Sequence, residues 1–361
     1  MTFEEGRAQF PVLERFAYLN TGTLGPLARG TLAAAEERLR FDQEHGRGGK
    51  AWFESVLALR ASVRDEIAQL LGTAPQHVAL TSSTTDSCNI VAAGLDLGPD
   101  DEVITTDAEH PGLLLPLHVK GVRVRVAEVA ARPTADALGT ILSCITPRTR
   151  LLALSHVLWT TGQVMPVDEL ARESGLPILV DGAQSVGAIP VTVGELDYYT
   201  VSCQKWLCGP ESLGALYVRD VERLKIGIPS YFAQTSIEPD GNFVAKEDAG
   251  RFDSGWLATQ SLAGLEAALT NVPDWRFDRG AEMADRCRAV LREHFEVVGD
   301  GAGTLVSFVP PGDPAEDVAR LYEAGVVVRD LPNTGWVRAS CGWWTNDEDI
   351  ERLVATLVDA S

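Results

Sequence analysis

The sequence predicts an α/β protein built on a large, mostly parallel sheet, with a smaller α+β domain at its carboxyl end. From about residue 77 to 220, short runs rich in Val, Ile and Leu alternate with stretches of helical length. This alternation is typical of βαβ units, whose parallel sheets are covered on both faces. Ligands in such sheets bind at the carboxyl ends of the strands, so the polar residues after each run are candidates for a site.

Each element of this prediction comes from a local pattern. The strands are expected at residues 77–80, 102–105, 122–126, 151–154, 177–180 and 214–218. Residues 30–71 precede them as a helical stretch interrupted at the glycines near 46–49, and residues 226–251 follow as an irregular, Gly- and Pro-rich crossing. Helices are expected at about 257–270, at 274–295 and after Asn346, with strands at about 304–309 and 326–329. We therefore divide the chain into a segment 1–30 that contributes to the site, a large domain 31–245 and a small domain 246–361.

Composition excludes several classes of function. A formal charge of −20 disfavours nucleic acid and anionic membrane surfaces as partners. No apolar run approaches the roughly 20 residues needed to span a bilayer, and the acidic start lacks the pattern of a signal peptide. The six cysteines lack CxxC spacing, which argues against a zinc site and for reduced thiols. We expect a cytoplasmic protein that binds no metal.

Two residues carry the strongest chemical signal. Asp181 follows the apolar run Pro177-Ile178-Leu179-Val180, where it could also be a helix N-cap or a magnesium ligand. Lys205 is the only one of five lysines that lies between an apparent strand and a Gly-Pro turn. A lysine in an apolar pocket has a lowered pKa and can attack a carbonyl.

A third feature indicates a common function for Asp181 and Lys205. The segment Leu80-Thr81-Ser82-Ser83-Thr84-Thr85-Asp86 leads from a strand into a helix through small hydroxyl residues. The unpaired N–H groups of a helix N-terminus and such hydroxyls can hold a phosphate. Three strand ends thus offer a phosphate cradle, a carboxylate and an amine, which match the phosphate, ring nitrogen and aldehyde of pyridoxal 5′-phosphate (PLP).

The order and spacing of these motifs resemble the class V aminotransferase family of fold-type I PLP enzymes, over roughly residues 15–355. The pattern is closest to cysteine/cystine C–S lyases and to isopenicillin N epimerase. The resemblance implies that Lys205 forms the Schiff base and moves the α-proton, that Asp181 pairs with the ring nitrogen and that His110 stacks on the ring. The other cofactor contacts that it implies are Thr84, Thr85, Ser202 and Gln204 at the phosphate, Ala183 on the ring and Gln184 at the ring hydroxyl.

The resemblance also implies a substrate side to the site. Arg338, in Trp336-Val337-Arg338-Ala339-Ser340, matches the arginine that grips the substrate carboxylate, a task suited to a guanidinium. Arg329 is either a second carboxylate contact or an exposed charge at a strand end. Asn20 and Trp159 are further implied substrate contacts, and the bound partners are an amino acid and a second copy of the chain, as a homodimer.

Departures from the family pattern narrow the range of reactions that we expect. Cysteine desulfurases carry a sulfur-accepting cysteine on a loop before the carboxylate-binding arginine, whereas residues 330–336 contain none and Cys341 lies after Arg338. Trp256 stands where the family has a threonine that reaches the phosphate of the neighbouring subunit. We therefore expect a lyase that removes a β-substituent, chiefly through C–S cleavage of cysteine, cystine or an S-conjugate, giving pyruvate and ammonia.

Three alternatives remain at this stage. Within PLP chemistry, the chain could be an epimerase or an aminotransferase-like tailoring enzyme of secondary metabolism, because all of these reactions begin with the same steps. A non-catalytic relative that binds a phosphate ligand is disfavoured by the presence of both Lys205 and Asp181. A Rossmann-type dehydrogenase is disfavoured because no GxGxxG follows the first strand.

Overall fold

The computed structural model describes residues 1–358, which form eleven α-helices and fifteen strands. The helices are α1 (Phe3–Arg7), α2 (Arg29–His45), α3 (Lys50–Leu70), α4 (Thr84–Gly94), α5 (Pro111–Lys120), α6 (Ala137–Ser143), α7 (Val167–Ser174), α8 (Thr259–Thr270), α9 (Arg276–Arg292), α10 (Pro314–Glu323) and α11 (Asp347–Val358). The strands are β1 (Ala17–Tyr18), β2 (Val78–Thr81), β3 (Glu102–Thr106), β4 (Arg123–Ala127), β5 (Thr149–Ser155), β6 (Ile178–Asp181), β7 (Tyr198–Ser202), β8 (Gly214–Val218), β9 (Gln234–Ile237), β10 (Phe243–Ala245), β11 (Val297–Val298), β12 (Leu305–Phe308), β13 (Val326–Val327), β14 (Arg329–Leu331) and β15 (Trp336–Ser340).

The centre of the molecule is a seven-stranded sheet in the order β2-β8-β7-β6-β5-β3-β4. Only β8 runs antiparallel to its neighbours, so β2, β3, β5, β6 and β7 end at the same edge. Residues of α4 and α5 pack in the apolar core on one face, and residues of α3, α6, α7 and α8 in the core on the other. The predicted fold class, a large mostly parallel sheet between helices, is thereby confirmed.

Burial explains why the strands of the large sheet are easy to recognise in the sequence. Every residue of β2, β3, β6, β7 and β8 is buried, as expected for strands covered on both faces. The edge strand β4 is the exception, because it exposes Arg123 and Arg125. Charged side chains on an edge strand discourage pairing with other chains.

A second sheet forms from the later part of the chain. It has four antiparallel strands in the order β11-β12-β15-β14, and its apolar side packs with residues of α9 and α11. The amino-terminal segment lies beside it: β1 pairs in parallel with β13 as a separate two-stranded sheet, and Asn20 forms a bridge with Ser340 of β15. Residues 17–20 therefore lie beside the strand that carries Arg338. The domain boundaries at 30/31 and 245/246 stay a prediction.

Strand β7 and helix α10 were not among the expected elements, and one segment expected to be irregular is partly regular. The stretch expected to be irregular, 226–251, contains an antiparallel hairpin of β9 and β10 with a register shift between Val244 and Ala245. Its strands are short and exposed, so no apolar alternation marks them in the sequence. Within residues 1–358, no helix combines the length and the apolar character needed to cross a lipid bilayer.

Candidate active site

The common edge of the large sheet collects most of the residues that the sequence singled out. Asp181 ends β6 and Ser202 ends β7, with Lys205 in the turn that follows. The turn after β2 leads into α4 at Thr84, and His110 follows β3 as the N-cap of α5. Parallel strands, together with β2, thus bring these side chains to one edge from positions far apart in the chain.

Lys205 has a desolvated amine without a partner. Among residues 1–358 its Nζ takes part in no hydrogen bond or ion pair. Burial lowers the pKa of Lys205 to about 8, with Arg338 and Arg329 acting in the same direction and Asp181 opposing them. The turn is held by N–H donation from Gly25 to the Gln204 carbonyl at 2.8 Å and from Cys208 to the Lys205 carbonyl at 3.0 Å. The amine is therefore positioned and easily deprotonated, as a nucleophile requires.

Asp181 offers one free carboxylate oxygen. Its Oδ1 accepts a hydrogen bond from the Ala183 N–H at 2.9 Å and a longer one from Thr200 Oγ1 at 3.4 Å, while Oδ2 accepts none within the described chain. The side chain is buried, and the small Ala183 beside it is buried as well. Gly182 has to be glycine, since an added Cβ would lie 2.2 Å from the Thr200 carbonyl oxygen.

The start of α4 has the character of an anion site. Ser83 caps the helix by accepting from the Asp86 N–H at 3.1 Å. The hydroxyls of Thr84, Thr85 and Ser202 make no hydrogen bond to any residue of the range 1–358. Asp86 is a carboxylate in this first turn, but its Oδ2 is occupied by three donors, the Ser82 N–H, the Ser82 hydroxyl and the Ser254 hydroxyl. Hydroxyls and N–H groups remain available for a phosphate.

His110 and Trp159 form one wall of the site. Their rings meet edge-on with centroids 5.5 Å apart, and His110 Nδ1 accepts the Gly112 N–H at 3.0 Å. Desolvation, followed by the charge on Lys205, lowers the pKa of His110. The imidazole is therefore held neutral near pH 7, with its proton on Nε2.

Glu109 holds this wall in place, a role that the sequence did not reveal. Its carboxylate accepts from the Thr106 hydroxyl at 2.6 Å, the Ser155 hydroxyl at 2.6 Å and the Ser155 N–H at 2.9 Å. It thereby ties the end of β3, which precedes His110, to the end of β5, which precedes Trp159. Burial without a cationic partner raises the pKa of Glu109 to about 7, although the three hydrogen bonds oppose the shift.

Gln184 and Gln204 lie at the site, and each already makes hydrogen bonds to other residues of the chain. Gln184 donates from Nε2 to the Gly22 carbonyl at 2.8 Å and accepts from Trp206 Nε1 at 2.9 Å. Gln204 accepts the Ser212 N–H at 3.2 Å, which leaves its Nε2 donors unused by residues 1–358. The predicted contacts of both glutamines with the cofactor stay predictions.

The substrate side is built around two arginines. Arg338 is fully buried, donates from Nη1 to the Trp159 carbonyl at 2.7 Å and has an Nε without a partner in the described chain. Burial, then the charge on Arg329, lowers the pKa of Arg338 to about 9. Asn20 Oδ1 accepts the hydroxyl of Thr23 at 2.8 Å, and its predicted contact with the substrate stays a prediction.

Two groups of residues complete the comparison with the sequence. Trp343 and Trp344 pack with Phe10 in a separate aromatic cluster and are core residues, not parts of the site. Thr23, Gly25 and Glu109 were missed because each acts through a contact distant in sequence. The run Asn20-Thr21-Gly22-Thr23 after a strand was the available signal for the first of these.

Comparison with known proteins identifies the class. Residues 34–353 match the family model for aminotransferase class-V, so the chain belongs to the class V aminotransferase family. It is 28% identical to the isopenicillin N epimerase of Streptomyces clavuligerus over 98% of this chain and 97% of that protein. It is 31% identical to a cysteine desulfurase of Klebsiella pneumoniae over 99% and 98%. The solved structure of the cystine C–S lyase C-DES with cysteine persulfide matches with a TM-score of 0.91 and 30% identity, covering 97% of this chain and 99% of that one.

Membership of this family confirms the predicted enzyme class and PLP as the cofactor. The residues present fit that group on geometric grounds. An amine without a partner, a buried carboxylate with one free oxygen and a set of unoccupied hydroxyls at a helix N-terminus lie at one sheet edge. The individual contacts of Lys205, Asp181, Thr84 and Thr85 with PLP stay predictions.

Proposed function

We propose that this protein cleaves the bond between the β-carbon and sulfur of an amino acid such as cysteine, cystine or an S-conjugate, releasing pyruvate and ammonia. The likeness to a cysteine desulfurase and to a cystine C–S lyase supports C–S cleavage. The choice of elimination over sulfur transfer rests on a single observation, the position of the thiols.

No cysteine of the chain is placed to accept sulfur. All six lie within the described residues; five are buried, and the half-buried Cys144 ends α6, away from the sheet edge. Burial raises the pKa of Cys203 to about 12 and also raises the pKa of Cys208, so the thiols on either side of Lys205 stay protonated. A sulfur acceptor must be an accessible thiolate. The sulfur therefore leaves as a free thiol or persulfide.

Each residue has a role that its surroundings support. PLP supplies an aldehyde that condenses with amines and a protonated ring that withdraws electrons from the α-carbon. Lys205 holds the cofactor and, once its amine is free and neutral, takes the α-proton. Asp181 keeps the ring nitrogen protonated, while Thr84, Thr85 and Ser202 bind the phosphate. Arg338 binds the substrate carboxylate and thereby orients the α-carbon toward Lys205.

The reaction balances without an oxidant. Cystine and one water give pyruvate, ammonia and cysteine persulfide, while cysteine and one water give pyruvate, ammonia and hydrogen sulfide. The C–S electron pair leaves with sulfur, and water replaces the nitrogen. No reductant or thiol acceptor enters, in agreement with the absence of an accessible cysteine from the site.

The test is a substrate screen with the holoenzyme. Cysteine, cystine and S-aryl cysteines are incubated separately, and pyruvate and ammonia are measured together. We expect equal amounts of the two products, and Lys205→Ala should abolish both while Lys225→Ala, at an exposed lysine, leaves them unchanged. Sulfide or persulfide formed with alanine in place of pyruvate would contradict the elimination.

Epimerisation is the second candidate, because the isopenicillin N epimerase relative aligns over nearly the whole chain. Proton removal by Lys205 and return from the opposite face would invert the α-carbon without loss of sulfur. Chiral analysis of recovered substrate in D₂O separates the two reactions. Inverted, deuterated substrate without pyruvate would favour the epimerase over the lyase.

We also propose that the enzyme is a homodimer. The β9–β10 hairpin exposes Ile237, Phe243 and Val244, and Tyr231 and Trp256 are more than half exposed nearby in the chain. Exposed apolar groups of this size favour an interface. Light scattering should give twice the chain mass of 38.9 kDa.

A further inference from the structure

A row of polar side chains that have no role so far connects the ends of β5, β6 and β7. His156 follows β5, Ser185 lies in the turn after β6, and Tyr199 belongs to β7. His156 Nδ1 lies 2.7 Å from the Tyr199 hydroxyl, which lies 2.5 Å from Ser185 Oγ. Ser185 Oγ lies 3.1 Å from the carbonyl oxygen of Gly182, the residue directly after Asp181. Tyr199 and Ser185 are fully buried, so each hydroxyl depends on its neighbours in this row for its hydrogen bonds.

The protons in this row have one consistent order. A carbonyl oxygen can only accept, so the Ser185 hydroxyl donates its single hydrogen to Gly182. The Tyr199 hydroxyl must then donate to Ser185, and His156 Nδ1 must donate to Tyr199. Burial lowers the pKa of His156 to about 4, so the imidazole is neutral at pH 7 and its single proton lies on Nδ1. We refer to the side chains of His156, Tyr199 and Ser185 as the Tyr199 chain.

The peptide group between Gly182 and Ala183 extends the Tyr199 chain to Asp181. Its carbonyl accepts the Ser185 hydroxyl, and its N–H donates to Asp181 Oδ1 at 2.9 Å. A peptide whose carbonyl accepts a hydrogen bond becomes a stronger N–H donor, because buried hydrogen bonds in series polarise one another by about 10–30% per bond. Four hydrogen bonds therefore run in one direction from His156 to a carboxylate oxygen of Asp181.

The backbone of this turn does not depend on the Tyr199 chain. The Gly182 carbonyl also accepts the N–H groups of Ser185 at 3.1 Å and Val186 at 3.2 Å. The Tyr199 ring packs against Gly182, where an added Cβ would lie 2.2 Å from its Cε1 atom. The main chain and the ring thus keep the turn in place, and the hydroxyl groups contribute the polarisation of the peptide.

We propose that His156, Tyr199 and Ser185 are positioning residues that act through this peptide on Asp181 and help to keep the ring nitrogen of PLP protonated. Hydrogen bonds to a carboxylate stabilise its charged form and lower its affinity for a proton. Without the Tyr199 chain, the N–H at Oδ1 is a weaker donor, and Asp181 draws the shared proton away from the ring nitrogen. The inference rests on the role proposed above for Asp181 and is independent of whether elimination or epimerisation follows.

The test uses the holoenzyme with ¹⁵N-labelled PLP, whose ring nitrogen resonance reports its protonation. Tyr199→Phe and Ser185→Ala each break the Tyr199 chain at one point, and both should move the resonance toward that of unprotonated pyridine. Exchange of the α-hydrogen of alanine in D₂O should slow about two- to fivefold at an unchanged KM, the modest effect of weakening one bond in a series. Tyr198→Phe is the matched control, because this neighbouring ring packs on the other face of the sheet, and it should change neither quantity.

Asp181→Asn separates this inference from the role of Asp181 itself. If Asp181→Asn moves the ring nitrogen resonance while Tyr199→Phe and Ser185→Ala leave it at the wild-type position, the Tyr199 chain has no influence and the inference is overturned. If Asp181→Asn does not move the resonance either, the role of Asp181 fails as well. Histidine ¹⁵N spectra that place the His156 proton on Nε2 would overturn the direction of the hydrogen bonds. The double variant should exchange no more slowly than the slower single variant, and additive losses would contradict a single chain.

Discussion

Arg329 and Arg338 stand directly opposite each other on the antiparallel strands β14 and β15. Both guanidinium groups reach the same oxygen, Thr23 Oγ1, at 3.3 Å and 3.4 Å, and neither has an acidic partner among residues 1–358. Two neighbouring cations without a counter-ion repel each other, so an anion between or beside them is stabilising. This arrangement favours a substrate with a carboxylate, as the lyase requires.

Removal of each arginine should have a different effect. Arg338→Ala deletes the buried charge that we propose binds the substrate carboxylate, and we expect kcat/KM to fall by about 100-fold or more for every substrate. Arg329→Ala should raise KM for cystine, which has two carboxylates, more than KM for S-methylcysteine, which has one. Arg150→Ala, an exposed arginine on β5, is the control. Equal losses for the two substrates in Arg329→Ala would contradict a second carboxylate contact.

PLP uptake by the apoenzyme should depend on pH through Lys205. Only the neutral amine attacks the aldehyde, and burial lowers its pKa to about 8 from the ordinary 10.5. The neutral fraction grows as pH rises through 8, so the uptake rate should increase from pH 6.5 and level off above about 9. Stopped-flow absorbance measures this profile. A midpoint near 10.5 would mean that the amine is solvated.

Glu109 should make the free energy of unfolding fall as pH rises. Its folded pKa of about 7 exceeds the value of 4.5 for a free glutamate, so the folded state binds the proton more tightly. The contribution to stability is complete below pH 4.5 and is lost as pH rises through 7. Glu109→Gln keeps the shape without the charge and should remove this slope in urea unfolding.

The control for Glu109 separates charge from shape. Glu109→Ala leaves the N–H and hydroxyl of Ser155 without an acceptor, and because neither variant titrates at this position, we expect it to be less stable than Glu109→Gln by about 1–3 kcal/mol at all pH values. If His110 and Trp159 form a wall of the site as proposed, the same variant should also raise KM. If Glu109→Gln shows the wild-type slope, the pH dependence arises elsewhere.

Gly25 should be intolerant of any side chain. A Cβ at this position would lie 2.1 Å from the Lys205 carbonyl oxygen, which is a backbone atom and cannot rotate away. We expect Gly25→Ala to lower stability by about 2 kcal/mol or more and to shift the PLP absorption band. Gly139→Ala is the matched control, because open space surrounds that helical glycine and alanine should stabilise it by about 0.5–1 kcal/mol.

The sequence was sufficient for six of the seven strands of the large sheet, all except β7, and it drew attention to the residues at the strand ends. The fully buried strand β6 is an apolar run that ends in Asp181, and an acid at the end of such a run stands out. The helix break at residues 46–49 was equally easy to predict from its glycines. In the structure Gly46 and Gly49 have positive φ and separate α2 from α3. These signals are local and need no knowledge of the partner strands.

The sequence could not predict contacts between residues that are distant in the chain. Thr23 joins Arg329 and Arg338 across more than 300 positions, and Glu109 joins Ser155 across 46. Trp343 and Trp344 lie only a few positions after Arg338 in the sequence, but β15 ends at Ser340 and the two indole rings pack against Phe10. Side-chain direction after a strand end depends on the tertiary packing, which no periodicity encodes.

The pairing of β1 with β13 has a consequence for synthesis of the chain. The strands that hold Lys205 and Asp181 are all made by residue 218, whereas residues 17–20 find their partners only at residues 326–340. Chains emerge from the ribosome amino terminus first. The strands that hold Lys205 and Asp181 can therefore pair before the partners of residues 17–20 have been made. A nascent enzyme of this design acquires its coenzyme-binding edge well before it can recognise an amino acid.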